Sequence, residues 1–151
     1  MKSREDTLRV LLDTSFILPT LGIDIGVEFL RGLERLDGLK AEVYYSIFNI
    51  LESLWVAIRL AKRGVLHVER FGEGLRSIIE GVRYLRVVEG AEVFRGALRL
   101  YFLGHRDIID NILYATSVDL GIKMLTLDEE LKEFIKEKGL KNTLIKPDEL
   151  L

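Results

Sequence analysis

Two spacings of apolar residues divide the chain into short and long segments. Short apolar runs between polar positions are typical of buried strands, and they occur at residues 8–12, 41–46, 84–90, 122–127 and 143–147. Apolar residues three and four positions apart predict helices at residues 27–36, 47–62, 68–82, 91–102, 108–120 and 129–138. The stretch "PTLGIDIG" is predicted as a loop or a short helix. Predicted strands thus alternate with predicted helices.

This alternation is typical of an α/β fold with a mainly parallel sheet. With 151 residues, of which 48% are hydrophobic and 30% charged, the chain is predicted to be one domain over residues 1–151. In open parallel sheets, ligands bind outside the carboxyl ends of the strands. Polar residues that directly follow a predicted strand are therefore the first candidates for a functional site.

Three of the predicted helices carry conspicuous apolar residues. The helix at 108–120 is apolar nearly all round, which predicts deep burial. The helix at 47–62 has one apolar stripe, predicted to face the core, formed by Ile47, Ile50, Leu51, Leu54, Trp55 and Ile58. The helix at 91–102 ends in a crowded apolar group that we interpret as core packing: Leu98, Leu100, Tyr101 and Phe102.

Composition narrows the chemistry that the chain can perform. The absence of cysteine excludes disulfides, thiolate zinc sites and a cysteine nucleophile. The two histidines, His67 and His105, are too few for a histidine-rich metal site. A metal would therefore be held mainly by oxygen, which favours Mg²⁺ or Mn²⁺. The formal charge of -2 neither indicates nor excludes nucleic-acid binding.

The sequence also carries a prediction about the cellular compartment. Every apolar run is interrupted well before the roughly 20 residues that span a bilayer. The first residues, "MKSREDTLRV", contain no apolar signal core. We therefore expect a cytoplasmic protein with no membrane association.

Four carboxylates stand out because each interrupts an apolar pattern: Asp13, Glu52, Asp110 and Asp128. Asp13 and Asp128 each follow a predicted strand, at the same end of the sheet. Glu52 and Asp110 have mainly apolar neighbours three and four residues away, so both are predicted to be half-buried on their helices. Half-buried carboxylates are costly unless they are paired or bind a metal.

Each of these carboxylates also has an interpretation without catalytic function. Asp13, Asp107 and Asp128 each precede a predicted helix and suit an N-cap. Asp110 suits the first turn of a helix, where the helix dipole favours an acid. Glu52 suits the edge of an amphipathic helix, paired with a basic neighbour. Taken singly, these positions leave both interpretations open.

Four sequence blocks, in this order, resemble the PIN-domain nucleases, which include the VapC-type toxins of toxin–antitoxin pairs. The blocks are "VLLDTSFIL", "YYSIFNILESLW", "DIIDNILYATSVDLG" and "IKMLTLDEEL". Together they reach from about residue 10 to residue 131. The most specific part is an acid that opens a buried helix, followed by Gly121 and by a strand that ends in Thr-x-Asp.

The resemblance implies a three-layer α/β/α fold and a metal-dependent endoribonuclease that hydrolyses RNA phosphodiester bonds. The acids that it implies as catalytic Mg²⁺ or Mn²⁺ ligands are Asp13, Glu52, Asp110 and Asp128. Ser15 and Thr126 match small polar positions that support these acids. Asp107 is interpreted as a helix cap, with a fifth ligand as the alternative. Asn111 either reaches the water shell of the metal or faces a neighbouring polar group.

The resemblance also implies partners. These are an RNA substrate, a small antitoxin whose helix packs into an apolar groove, and a second copy of the chain in a homodimer. Arg106, His105 and Lys123 lie near the acidic motifs in sequence and are candidates for contacts with the RNA backbone. A solvated surface charge is the alternative interpretation of Arg106 and Lys123.

Three other functions compete with a toxin ribonuclease. A housekeeping enzyme that trims RNA precursors would use the same site. A phosphatase with Asp13 as nucleophile usually carries an acid two residues later, where this chain has Ser15. A non-catalytic RNA-binding module would not need all four acids.

Overall fold

Five parallel strands form the centre of the molecule. The computed structural model describes residues 7–150, and its strands are Arg9–Leu12 (β1), Glu42–Tyr45 (β2), Tyr84–Arg86 (β3), Lys123–Leu125 (β4) and Leu144–Ile145 (β5). They pair in the order β3-β2-β1-β4-β5, and every neighbouring pair is parallel. The predicted α/β fold with a parallel sheet is confirmed.

Seven α-helices connect and cover these strands within residues 7–150. They are Thr14–Ile17 (α1), Val27–Gly38 (α2), Ile47–Lys62 (α3), Val68–Ile79 (α4), Ala91–Leu103 (α5), Ile108–Leu120 (α6) and Glu129–Glu137 (α7). Short 3₁₀ helices lie at Leu18–Leu21 and Pro147–Glu149. No helix in the described part of the chain is long and apolar enough to cross a membrane.

The alternation of side chains along β1 divides the core into two layers. Val10 and Leu12 point to one face of the sheet, where they join side chains from α1, α2, α3 and α4. Leu11 points to the other face and packs with Met124 and with side chains from α5, α6 and α7. All three β1 residues are fully buried. Helices therefore cover both faces, and the three-layer arrangement is confirmed.

The observed strands are shorter than the predicted ones, mainly at their carboxyl ends. The predicted strand at 122–127 ends at Leu125, because the Thr126 hydroxyl accepts a hydrogen bond from the Asp128 backbone N–H and so closes a turn. Pro147 does not simply close the last strand but opens a 3₁₀ helix. Except after β1, the loops that follow the strands thus begin one to four residues earlier than the apolar pattern indicates.

Helix α3 buries a different face from the one predicted. Its buried residues are Asn49, Ile50, Ser53 and Ala57. Most of the predicted core stripe is exposed: Leu51, Leu54, Trp55 and Ile58 have exposed fractions of 40–52%. The prediction was wrong because Asn49 faces inward, where its amide donates to Leu12 O and Thr14 Oγ1. The small residues Ser53 and Ala57 allow the same face to pack closely.

The burial predictions for α6 are confirmed, and those for α5 are confirmed only in part. Helix α6 is deeply buried as predicted, with every residue from Ile109 to Tyr114 buried. On α5, Leu100 is buried, but Leu98, Tyr101 and Phe102 are 51%, 42% and 76% exposed. The core-packing interpretation holds for Leu100 and was wrong for the other three, because α5 presents only one narrow face to α6.

Helix α4 carries two glycines, and only one of them packs closely against another part of the chain. A Cβ on Gly74 would lie 2.3 Å from Thr20 O, whereas a Cβ on Gly72 would meet nothing within 4 Å. We predict that Gly74→Ala lowers the free energy of unfolding by roughly 1–3 kcal/mol, because backbone must move. Gly72→Ala should raise it by about 0.5–1 kcal/mol. Urea denaturation measures both, and equal effects would contradict the packing described.

Candidate active site

The carboxyl edge of the sheet collects acids from four elements. Asp13 follows β1 and Asp128 follows β4, and these two strands are hydrogen-bonded neighbours. Helix α3 contributes Glu52, and the first turn of α6 contributes Asp110. The Asp13 carboxylate is repelled by Glu52 and Asp128, and the Asp110 carboxylate by Asp13, Asp107 and Asp128. The sequence-predicted acids therefore form one electrostatic cluster.

Asp13 both caps a helix and belongs to this cluster. Its Oδ1 accepts from the Thr14 backbone N–H at 2.7 Å, at the start of α1. Its Oδ2 accepts from the Thr126 hydroxyl, also at 2.7 Å. The Asp13 backbone N–H donates to Leu125 O and continues the pairing of β1 with β4. The two interpretations that the sequence left open are thus compatible.

Burial and mutual repulsion favour the protonated forms of these acids. Burial raises the pKa of Asp13 to about 6, with added repulsion from Glu52 and Asp128, against the lowering effect of the bonds from Thr126 and Thr14. Burial also raises the pKa of Glu52, partly offset by the Thr14 side chain and Arg59.

Asp110 has the most strongly raised pKa of the cluster. Its burial is the main cause, followed by repulsion from Asp13 and by a hydrogen bond with the Asp128 carboxyl. Without a cation, the cluster therefore retains at least one proton near neutral pH.

The side chains of these acids are chemically suited to a divalent cation, but they lie too far from one another to hold one as they are placed. Within residues 7–150, no three His, Asp or Glu side chains stand close enough together to hold a metal ion as they are placed. The donors are nevertheless carboxylate oxygens, which Mg²⁺ and Mn²⁺ prefer. A divalent cation would also neutralise the repulsion that raises these pKa values. The donor set fits such an ion if the side chains draw together around it.

The residues predicted to support the acids occupy different positions. Thr126 bridges the two strand ends, since its hydroxyl donates to Asp13 and accepts from the Asp128 N–H. Ser15 is half-buried on α1, and the bonds that hold Asp13 come from Thr14 and Thr126 instead. Asp107 is the N-cap of α6, where its Oδ1 accepts from the Asp110 N–H at 3.1 Å.

Asn111 faces away from the acids, toward a histidine. Its Oδ1 lies 2.6 Å from His105 Nδ1, and its amide donates to His105 O and Ala97 O. Asn111 is fully buried and His105 is 5% exposed. Of the two interpretations of Asn111, the structure favours contact with a neighbouring polar group. The pair holds the loop before α6, and with it Asp107 and Asp110.

Sequence reasoning missed one residue that organises the site, Asn49. Asn49 is fully buried and links the end of β1 to α1 through Leu12 O and Thr14 Oγ1. Its Oδ1 also accepts from the Ser46 N–H, which completes a capping box at the start of α3. The Ser-x-x-Asn spacing before an apolar run is the signal that would have found it.

The two predicted RNA-binding cations lie in different surroundings. Arg106 is exposed in the loop next to Asp107. Lys123 is exposed at the first residue of β4, beside Val10, at the amino edge of the sheet. At about 3.3 Å per strand residue, it starts about 10 Å from Thr126. Contact of Arg106 and Lys123 with RNA stays a prediction, and Lys123 is not among the residues brought to the acids.

Comparison with known proteins places this α/β fold with its acidic edge in a family. The family model described as "PIN domain" matches residues 10–137. No curated protein matches the chain at a significant level. The chain belongs to the PIN-domain family, and the members of this family are nucleases. The resemblance identified from four sequence blocks is therefore confirmed.

Two solved structures are similar in fold. VapBC2 from Rickettsia felis, bound to a DNA fragment from their promoter, gives a TM-score of 0.61 at 13% identity, over 92% of this chain and 98% of that chain. FitAcB from Neisseria gonorrhoeae gives a TM-score of 0.58 at 17% identity, over 93% of this chain and 99% of that chain. At these identities the likeness concerns the fold alone.

The raised pKa of Asp13 predicts a pH dependence of stability. Between its ordinary pKa of 3.8 and about 6, Asp13 stays protonated when folded but ionises when unfolded. The free energy of unfolding should therefore fall as pH rises through this window. From the size of the shift, the loss attributable to Asp13 is up to about 3 kcal/mol. Urea denaturation in EDTA at pH 4, 5, 6 and 7 measures it.

Asp13→Asn is the comparison that isolates this contribution. The variant cannot ionise at position 13, so its stability should fall less between pH 4 and pH 7. Burial and acidic neighbours also raise the pKa of Asp110. The free energy of unfolding of the variant should therefore still fall with rising pH, but by less than in the wild type. Parallel pH profiles for the two proteins would contradict the assignment to Asp13.

Proposed function

We propose that this PIN-domain protein is a Mg²⁺- or Mn²⁺-dependent endoribonuclease and the toxin of a toxin–antitoxin pair. The observation that carries the proposal is the cluster of mutually repelling carboxylates at the carboxyl edge of the sheet. Such an arrangement is unfavourable unless a cation occupies it, and it would repel an RNA phosphate without one. A cytoplasmic location goes with this proposal.

In the proposed site, Asp13, Glu52, Asp110 and Asp128 hold the cation. When bound, Mg²⁺ or Mn²⁺ supplies a Lewis acid that lowers the pKa of water and stabilises charge at phosphorus. Thr126 and the Thr14 N–H fix both oxygens of Asp13, so this carboxylate is oriented before any ligand arrives. Burial and acidic neighbours favour the protonated form of Asp110, and a bound cation would favour its ionised form instead.

The toxin assignment rests on likeness in fold and on exposed apolar surface. VapBC2 is a solved structure bound to promoter DNA, and it covers nearly the same length as this chain. In this chain, α3 and α5 expose apolar stripes, formed by Leu51, Leu54, Trp55 and Ile58 and by Phe94, Leu98, Tyr101 and Phe102. We propose that an apolar helix of a small antitoxin covers the α3 stripe, and that a second copy of the chain covers the α5 stripe.

The other candidate functions find less support. A housekeeping RNA-processing enzyme would use the same acids and differs only in its target. A phosphatase with Asp13 as nucleophile usually carries a second acid two residues later, and this chain has Ser15 there. A non-catalytic module would not need buried acids with raised pKa values.

The nuclease proposal predicts the effect of removing one charge. Asp110→Asn should lower the rate of RNA cleavage by about 100-fold or more, which is about 2.7 kcal/mol of transition-state stabilisation. Asp13→Asn should act similarly. Cleavage is measured on a fluorescent single-stranded RNA with Mn²⁺, using protein from a nuclease-free preparation.

Asp119→Asn is the matched control for this experiment. Asp119 is exposed and lies nine residues further along the same helix α6, which is about 13 Å away. Its substitution should leave cleavage at the wild-type rate. If Asp110→Asn and Asp13→Asn both cleave as fast as wild type, the nuclease proposal fails.

The proposed homodimer predicts a change in molar mass on substitution. Phe102→Asp introduces a charge at the most exposed position of the α5 stripe, so it should shift a dimer toward monomer in light scattering. Val82→Asp is the control, because Val82 is 95% exposed but lies outside both stripes. A Phe102→Asp protein with the wild-type mass would contradict this interface.

A further inference from the structure

The acid cluster leaves an electrostatic requirement that Lys123, one of the two predicted RNA-binding cations, does not meet. A divalent cation would reduce the charge at the carboxyl edge, but the RNA backbone on either side of the cleaved bond remains anionic. The neighbouring phosphates need positive or hydrogen-bond-donating groups close to the acids. Lys123 lies at the opposite edge of the sheet and does not supply one.

A cleft beside Asp128 contains suitable groups. It is lined by Thr126, Asp128, Lys132, Asn142, Leu144, Lys146 and Glu149. Thr126 and Asp128 belong to the acid cluster as well, so the cleft continues directly from the candidate active site. Apart from Asp128, its one carboxylate is that of Glu149, whose Oε1 accepts from the Lys146 backbone N–H.

Lys146 is placed by the order of the strands. It directly follows β5, which is paired with β4, and Asp128 follows β4 at the same edge. Neighbouring strands lie about 4.8 Å apart, and the pairing of Leu125 with Ile145 places Lys146 level with Thr126, two residues before Asp128. The Lys146 side chain is 27% exposed, and its Nζ lies 2.5 Å from Glu129 Oε1. This ion pair holds the ammonium group beside the first turn of α7, which follows Asp128.

Lys132 and Asn142 add two further donors. Lys132 lies one turn after Asp128 on α7, and its backbone N–H donates to Asp128 O. Its side chain is exposed and therefore free to turn toward a ligand in the cleft. The Asn142 Oδ1 accepts from the Leu144 N–H at 3.1 Å, which leaves its NH₂ group as the donor.

The ordinary interpretation of these lysines is a solvated surface with one ion pair. Glu129 is 60% exposed in that pair, and exposed pairs contribute little to stability. The presence of Lys132 and Lys146 around this cleft is therefore not explained by their contribution to the stability of the fold. A phosphate can replace Glu129 as the partner of Lys146 at small cost.

We propose that Lys132, Lys146 and the Asn142 amide form a binding site for a backbone phosphate of single-stranded RNA, next to the phosphate that is cleaved. This inference rests on the proposed nuclease function and names a contact that positions its substrate. The RNA backbone then runs across the sheet edge from the acids after β1 and β4 to the cations beside β5. Because phosphate carries no sequence information, the site contributes affinity and register but no base preference.

The test compares RNA affinity at several salt concentrations. Fluorescence anisotropy measures binding of a labelled single-stranded RNA, with Mg²⁺, to full-length protein carrying Asp110→Asn to suppress cleavage. Lys132→Gln and Lys146→Gln, each added to this protein, should weaken binding. Each should also reduce the slope of log affinity against log salt by about 0.7. Lys62→Gln is the matched control, because Lys62 is exposed at the end of α3, ten residues or about 15 Å beyond Glu52, and it should leave the slope unchanged.

The outcomes separate this inference from the nuclease proposal. If Asp110→Asn abolishes cleavage but both lysine variants keep the parent affinity and slope, the phosphate site is wrong and the nuclease proposal stands. If Lys62→Gln reduces the slope as much as Lys132→Gln, the effect is one of general charge and the site is equally wrong. Thermal melts exclude misfolding, since all three lysine positions should leave the melting temperature within a degree or two of the parent.

Discussion

The hydrogen bond from the Thr126 hydroxyl to Asp13 is the interaction on which the candidate site depends. It ties the end of β1 to the end of β4 and fixes one oxygen of a buried acid. The same hydroxyl accepts from the Asp128 N–H, so a single side chain positions two of the acids. The backbone bond from the Asp13 N–H to Leu125 O holds the same two strand ends together. The acids are therefore positioned where the pairing of β1 with β4 ends.

The parts of the fold that followed from the sequence are those with a strong local signal. The apolar β1 run ending in Asp13, and the all-round apolar α6 opening at Asp110, were located from their patterns. The family resemblance added the expectation that these acids lie close together in space. This expectation cannot be read from any single segment of the sequence. The strand order β3-β2-β1-β4-β5 confirms the reason, because β1 and β4 are neighbours despite more than a hundred residues between them.

The predictions that failed concern residues whose environment is set by distant parts of the chain. The α3 stripe was assigned to the core because Leu and Trp are usually buried. The inward face of α3 instead carries Asn49, because its amide donates to Leu12 O and Thr14 Oγ1. Lys123 was a candidate because it is near Asp128 in sequence, and its contact with RNA stays a prediction, although a strand separates the two positions in space. Lys146, 18 residues beyond Asp128, lies beside it because β5 pairs with β4.

Helix α3 has a consequence that reaches beyond its own packing. Its inner face carries Asn49, which fastens it to the end of β1, and Glu52 lies between that face and the exposed Leu51, Leu54 and Trp55. A rigid helix cannot shift on one side alone. A molecule bound to the exposed surface of α3 would therefore also restrain the backbone of Glu52. Binding at this surface and a change in the acid cluster would be coupled through the helix.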